Sequence, residues 1–268
     1  MNTARRSVVV VLTAVAAIFG VTAAASAAVT TIGYDVSYPQ CGKPLPYSRA
    51  FGVVGVNGGL PTNPNPCLNT QLTWAWNSSG AARLQPKAQL YLNTANPGDT
   101  IDLVTTWPTS GSTPYGTCTG TRTSACSWQY GWNRAQYSVS TAFGSAAPAA
   151  HANPASYIWW LDVETTNSWQ KAQTDAKAQN RATLEGMTAY LASRGAAVGL
   201  YSTGYQWGQI VGSTPTTSNL AGRKSWLAGA TTLSGATANC TKPALTPNGH
   251  VALTQYVVNG VDRDHSCG

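Results

Sequence analysis

Tyr157-Ile158-Trp159-Trp160-Leu161-Asp162-Val163-Glu164 is the stretch on which the reading of the fold turns, and it carries two of the chain's nine acidic residues at its exit. Its first five residues are large and apolar, and Pro154 on one side and Thr165-Thr166-Asn167-Ser168 on the other bound the run. A continuous apolar run of that length predicts a strand buried on both faces, as in a parallel sheet covered by helices. Side chains alternate along a strand, so Asp162 and Glu164 project from one face, about 6–7 Å apart along the backbone. Two carboxyls at that spacing, close to Trp159 and Trp160, repel each other and lose water. Both effects favour a retained proton on one of them, which is what a general acid requires. An ordinary strand end with two solvated acids is the competing reading of an isolated Asp-x-Glu, so the rest of the chain decides.

Upstream, Thr31-Ile32-Gly33-Tyr34-Asp35-Val36-Ser37 predicts a short strand that delivers Asp35 at its end, before Pro39, Gly42, Pro44 and Pro46 stop regular structure. Phe51 to Val56 predicts a second strand running into Asn57-Gly58-Gly59. Leu68 to Leu84 predicts a helix with Leu72, Ala75 and Ser79 on one face, and Ala88 to Leu92 a third strand ending at Asn93. Residues 98–156 are too long for a simple connection and form an insertion between strands three and four, with structure of its own. Trp107, Tyr115, Trp128, Tyr130, Trp132 and Tyr137 crowd this insertion. They suit an aromatic wall for flat sugar-ring faces or a local core beneath a long loop, and Trp128 to Phe143 reads as the helix returning to the sheet.

Downstream, Asn167 or Ser168 can cap a helix from Trp169 to Arg194, with Leu184, Met187 and Leu191 on its buried face, Glu185 exposed and Gly195 at C′. Ala196 to Tyr201, Trp226 to Ala230 and Val251 to Val257 read as strands, followed by Asn259-Gly260-Val261-Asp262-Arg263-Asp264. The order of strands and helices in one unit predicts an α/β fold, a single modified (β/α) TIM-like barrel stabilised by disulfides, with an open parallel sheet as the alternative. No eighth strand stands out. It is either weakly marked between Thr231 and Pro247 or missing from an irregular barrel.

Arg5 and Arg6, the apolar run from Val8 to Phe19 and Ala25-Ser26-Ala27 have the pattern of a signal peptide over residues 1–27, leaving residues 28–268 as the exported domain. Six cysteines in such a chain, Cys41, Cys67, Cys118, Cys126, Cys240 and Cys267, argue for disulfides, with nearest-neighbour pairing expected. They are not spaced as zinc ligands, and His151, His250 and His265 stand far apart, so neither a metal nor a cofactor is expected. The net charge of +7 falls to +5 without Arg5 and Arg6, which suits contact with anionic polymers outside the cell. Apart from Arg223-Lys224 the basic residues are scattered singly, so no nucleic-acid partner is expected. Outside the leader no stretch approaches the ~20 apolar residues of a membrane span. The expected protein is a secreted monomer, free or held at the cell wall. Only 9% of the residues are charged, so each acid is conspicuous.

Acids sit at the end of the first strand (Asp35), at the end of the fourth (Asp162 and Glu164) and just past the last (Asp262 or Asp264). In a barrel the first and last strands are neighbours and all parallel strands open onto one mouth, so five of the nine acids converge there. Like-charge repulsion makes such a gathering costly unless it serves chemistry. Gly33-Tyr34-Asp35-Val36-Ser37 resembles the opening Gly-x-Asp-x-Ser of glycoside hydrolase family 25, the lysozyme-like N-acetylmuramidases. Leu161-Asp162-Val163-Glu164 resembles the Asp-x-Glu strand of that family, and Tyr201-Ser202 its next strand end. Gln255-Tyr256 with Gly260-Val261-Asp262 is similar to its closing elements. A group of exported actinobacterial barrels described as glycoside-hydrolase-like resembles the chain more closely still.

The resemblance implies a modified (β/α) barrel that cleaves peptidoglycan or a related N-acetylated glycan, or, on the same barrel, an inactive wall- or carbohydrate-binding protein. It assigns Glu164 as general acid and Asp162 as the group that stabilises the positive charge of the transition state, with Asp35 and Asp262 completing an acidic floor. Asn57, Asn93, Trp160, Tyr201, Trp226 and Gln255 are the expected substrate contacts. Two positions depart from the family pattern. Val56-Asn57-Gly58-Gly59 stands where the family commonly has a charged Lys-x-x-Glu-Gly, and Tyr91-Leu92-Asn93 where it has a Tyr-His pair.

Overall fold

In a computed structural model that describes residues 30–267, the apolar run at the centre of the sequence forms one stave of a closed eight-stranded barrel. The leader expected over residues 1–27 lies outside the described residues. In chain order the first elements are β1 (Gly33–Val36), β2 (Gly52–Gly55), α1 (Leu68–Trp76) and β3 (Ala88–Asn93). The insertion follows with β4 (Gly111–Thr113), β5 (Gly116–Cys118), α2 (Ser124–Tyr137) and the short α3 (Gly144–Ala146). The chain then runs through β6 (Ile158–Asp162), α4 (Ala176–Ser193), β7 (Ala197–Ser202) and α5 (Gly204–Ile210). It ends with β8 (Lys224–Ala230), α6 (Leu233–Asn239), β9 (His250–Val258) and β10 (Val261–Ser266).

Around the barrel the strand order is β1, β10, β9, β8, β7, β6, β3, β2. All neighbours are parallel except β10, which runs antiparallel to both β9 and β1. The eighth strand is therefore not between Thr231 and Pro247, where α6 lies, but in Val261–Ser266. Asn259 and Gly260, both at positive φ (54° and 72°), make the tight hairpin turn that reverses the chain into it. This strand escapes an apolar-pattern search because its inward side chains, Asp262 and Asp264, are acids.

Alternation along the strands separates two apolar layers. Val54, Leu90, Trp159, Leu161 and Leu200 face outward against helical Leu72, Leu184 and Leu191. Phe51, Val53, Ile158, Trp160, Trp226 and Leu253 fill the barrel interior. Cys41–Cys67, Cys118–Cys126 and Cys240–Cys267 are bonded, the expected nearest-neighbour pattern.

Two helices differ from expectation. The helix expected to reach Leu84 stops at Trp76, and Gly80 at φ 75° turns the chain back towards β3. The helix expected from Trp169 starts at Ala176. Tertiary bonds hold the residues before it: the Gln170 side-chain amide donates to Asn96 Oδ1 (3.0 Å) and Ser127 Oγ (3.2 Å), and its backbone N–H donates to Asn180 Oδ1 (3.1 Å). At the other end Gly195 takes the positive φ (73°) of a C′ residue, as its position predicts.

In the insertion, Trp107 stacks on Tyr130 at 5.7 Å in a small core with Cys118, Ala125 and Cys126. Trp128 stacks on Trp132 at 5.4 Å, and Trp132 meets the edge of Tyr190 on α4. The aromatic residues thus form local core and a helix contact, not a wall around the barrel mouth. Glu185 is also not the exposed acid expected. It is 7% exposed, beneath the β4–β5 hairpin and the 213–220 segment. Tyr115 and Ser218 donate hydrogen bonds to its carboxylate, and Arg181 lies at 3.8 Å.

α2 and α4 touch backbone to backbone. A Cβ on Gly131 would stand 1.9 Å from the Thr183 carbonyl oxygen, and one on Gly186 2.0 Å from that of Trp128. Gly186→Ala forces the helices apart, an overpacking cost of about 1–3 kcal/mol. We expect the melting temperature to fall by about 2–12 °C. An unchanged melt would show that the helices do not approach this closely.

Candidate active site

The parallel strands all end at one rim, and β10, running the other way, brings its beginning there. Asp162 closes β6 and Glu164 follows two residues later, while Asp35 lies near the end of β1 and Asp262 near the start of β10. These four carboxyls line one pocket of about 340 Å³. Tyr91, Tyr201, Trp226 and Gln255 complete its wall.

The backbone under Asp162 and Glu164 is held from several directions. The Thr94 hydroxyl donates to the Asp162 carbonyl, and Ser202 Oγ to that of Val163 (2.7 Å). The Trp169 indole N–H donates to the Glu164 carbonyl (2.8 Å), and Gln206 Oε1 accepts from both the backbone N–H and the hydroxyl of Thr165 (2.6 and 2.9 Å). Across the pocket the Tyr201 hydroxyl donates to Gln255 Oε1 (2.8 Å), which turns the Gln255 amide to donate to Asp35 Oδ2 (2.9 Å). A tyrosine, an amide and a carboxylate are thereby fixed in a chain.

Among the described residues no cation forms an ion pair with any of these acids; the one ion pair is Arg181 with Glu185. Burial and mutual repulsion thus act unopposed by positive charge. Burial, then Asp262, pushes Asp35 up to about 8 despite the Gln255 hydrogen bond. Burial, then Glu164 and Asp35, raises Asp162 well above the usual carboxylate range. Glu164 is raised by burial and by Asp262, and Asp262 by burial. Below them Asp264 is fully buried and raised well above its usual range by burial, then by Asp35 and Asp262. The Trp226 indole N–H offsets part of this from nearby, but it is not aligned as a hydrogen bond to either carboxyl oxygen. The sequence reading put the retained proton on Glu164. Burial pushes the deeper Asp162, 6% exposed, and Asp35 upward as well, so the carboxyls titrate as a coupled cluster rather than one by one.

Of the expected substrate contacts, Tyr201, Trp226 and Gln255 line the pocket. Trp160 does not: it is fully buried beneath it, donating to Gln89 Oε1 (2.8 Å) with its ring 5.8 Å from that of Trp226. Asn57 and Asn93 do not line it either. Asn57 is fully buried, accepts the Asn93 backbone N–H (3.1 Å) and donates to Ser138 Oγ (3.5 Å), tying two strand ends to the π-helical segment (Ser138–Phe143) that continues α2. Tyr91 lines the pocket although it is not among the expected contacts. It lies two residues before Asn93, on the same side of β3, and alternation could have found it. Among the described residues no group of three His, Cys, Asp or Glu side chains could hold a metal ion, and no helix is long and apolar enough to cross a membrane.

Comparison with known proteins points the same way. Residues 146–228, which run from before β6 through most of β8 and contain Asp162, Glu164, Tyr201 and Trp226, match the family model described as lysozyme-like protein 1. The chain shares its fold with a muramidase from Trichobolus zukalii, at a TM-score of 0.50 and 15% identity, over 89% of this chain and 94% of that one. A bacterial lysozyme from Streptomyces coelicolor aligns at a TM-score of 0.48 and 16% identity, over 89% of this chain and 92% of that one. No curated protein matches the chain. The fold is thus the lysozyme-like barrel to which the motifs point.

Proposed function

We propose that the protein is a secreted glycoside hydrolase that cleaves peptidoglycan or a related N-acetylated glycan. The observation that carries this reading is the gathering of four carboxyls, none paired with a cation among the described residues, in one aromatic-walled pocket at the barrel mouth. Folding gains nothing from such a cluster, whereas cleavage of a glycosidic bond needs both a proton donor and negative charge. Glu164, partly exposed where Asp162 is buried, is placed to protonate the glycosidic oxygen as its bond to the anomeric carbon breaks. Asp162, beneath it, turns its carboxyl oxygens towards the positive charge that develops on the sugar and stabilises it. Water then adds to the anomeric carbon, its proton passing to a carboxylate of the cluster. Asp262 keeps the local field negative and Asp35, oriented by Gln255, presents a carboxyl to the substrate, while Tyr91, Tyr201 and Trp226 offer ring faces and hydroxyls to the sugar.

The three disulfides and the leader pattern support export. A binding protein on the same barrel is the second reading. It is favoured by Asn57 and Asn93, which are bonded to the frame at positions where the resemblance leads one to expect sugar contacts. Incubation of the protein with insoluble peptidoglycan separates the two. Reducing ends that accumulate with time support the hydrolase, and retention on the pellet with no new reducing ends supports the binder.

A further inference from the structure

A second depression opens directly beside the acidic pocket. It has a volume of about 630 Å³ and lies between the loop after β6, the start of α4 and α5. Thr165, the residue after Glu164, is on its rim, and Trp169, whose indole N–H is bonded to the Glu164 carbonyl, is in its wall. Gln206 pins the rim to α5 through Thr165, so groove and pocket share one rigid edge.

The lining has a definite chemistry. Lys171 and Lys177 are both exposed, no acid lines the groove, and among the described residues neither lysine is paired with a carboxylate. Lys177 Nζ donates to the Gly208 carbonyl (2.8 Å), which holds its charge against α5, while the Lys171 ammonium is free. Tyr205, 75% exposed, stands at the edge as a flat apolar surface with a polar tip. Gln170 is 2% exposed, and its Oε1 has no hydrogen-bond partner.

We infer that this groove receives an acidic peptide branch of the glycan cleaved in the neighbouring pocket. The inference rests on the glycan reading above. Two lysines meet carboxylates. The exposed Gln209 can pair with a peptide amide, and Trp169 and Ile210 accept small apolar side chains. A phosphate polymer would use the lysines alone and leave the amide and apolar lining idle. Peptide recognition here orients the sugar chain across Glu164.

Binding to a Glu164→Gln protein, in which the ligand is not consumed, tests this with two probes. One is a disaccharide carrying its acidic tetrapeptide, and the other is the same disaccharide without it. The tetrapeptide form binds more tightly, and adding Lys171→Gln or Tyr205→Ala weakens it by about 3- to 10-fold while the bare disaccharide is unaffected. Equal affinity of the two probes, or equal weakening of both, overturns the inference. So does tighter binding of poly(glycerol phosphate) that Lys171→Gln abolishes, which would assign the groove to phosphate. The readout is independent of turnover. Wild-type hydrolysis without discrimination between the probes defeats the groove alone, and discrimination without any wild-type hydrolysis defeats the hydrolase reading alone.

Discussion

Glu164→Gln lowers the release of reducing ends from peptidoglycan by about 10²–10⁴-fold, the usual contribution of a positioned general acid. The amide keeps the size and polarity of the side chain but has no proton to give to a leaving oxygen. Glu164 is raised by burial and by Asp262, with no cation paired to it among the described residues, so its loss removes repulsion rather than a stabilising contact. The variant therefore melts at or above the wild-type temperature at neutral pH. The combination of lost activity and undiminished stability is the signature of a residue kept for chemistry, and a rate within 3-fold of wild type would remove Glu164 from that role. In the active protein the rate falls as pH rises past the elevated Glu164 pKa, because the acid form is then depleted.

Stability itself falls as the solution becomes less acidic. Unfolded carboxyls titrate near the ordinary value of about 4, while Asp35 in the folded protein is pushed up to about 8 and Asp162 and Asp264 are raised well above their usual range. Between those limits the native state holds protons that the unfolded chain has released. The contribution of these groups is therefore fully present below about pH 4 and is lost progressively towards pH 8, at up to about 1.4 kcal/mol per pH unit for each such proton. Asp264→Asn replaces a buried, protonated acid by a neutral side chain of the same shape. The variant should match wild type near pH 4 and be more stable at pH 8, by several degrees in melting temperature given about 2–4 °C per kcal/mol for a domain of this size. Parallel melting curves against pH for the two proteins would show that Asp264 does not titrate in this range.

How much of this was legible in the sequence depended on whether the local pattern agreed with the tertiary environment. β6 was legible because it is apolar on both faces, and the mouth acids were legible because parallel strands end together. β10 was hidden because a strand with acids inside the barrel shows no apolar alternation, although Asn259-Gly260 announced the hairpin leading into it. Glu185 was misread because helical periodicity cannot foresee that a distant hairpin will bring Tyr115 over that face. Asn57 and Asn93 looked like site residues because they end strands, yet the hydrogen bonds they make to the frame come from residues that only the folded chain brings near. Trp160 was placed one layer too high for a similar reason: alternation gives its side of the strand but not its depth in the barrel.

The claim beneath all of this is that converging, unpaired carboxyls keep a proton available on Glu164. Its carboxyl carbon can be followed by NMR as pH is raised, in the wild-type protein and in Asp262→Asn. We predict a wild-type midpoint clearly above the ordinary glutamate value of about 4.3 and a lower midpoint once the Asp262 charge is gone. A Glu164 that titrates at or below the ordinary value, unmoved by Asp262→Asn, would contradict the account.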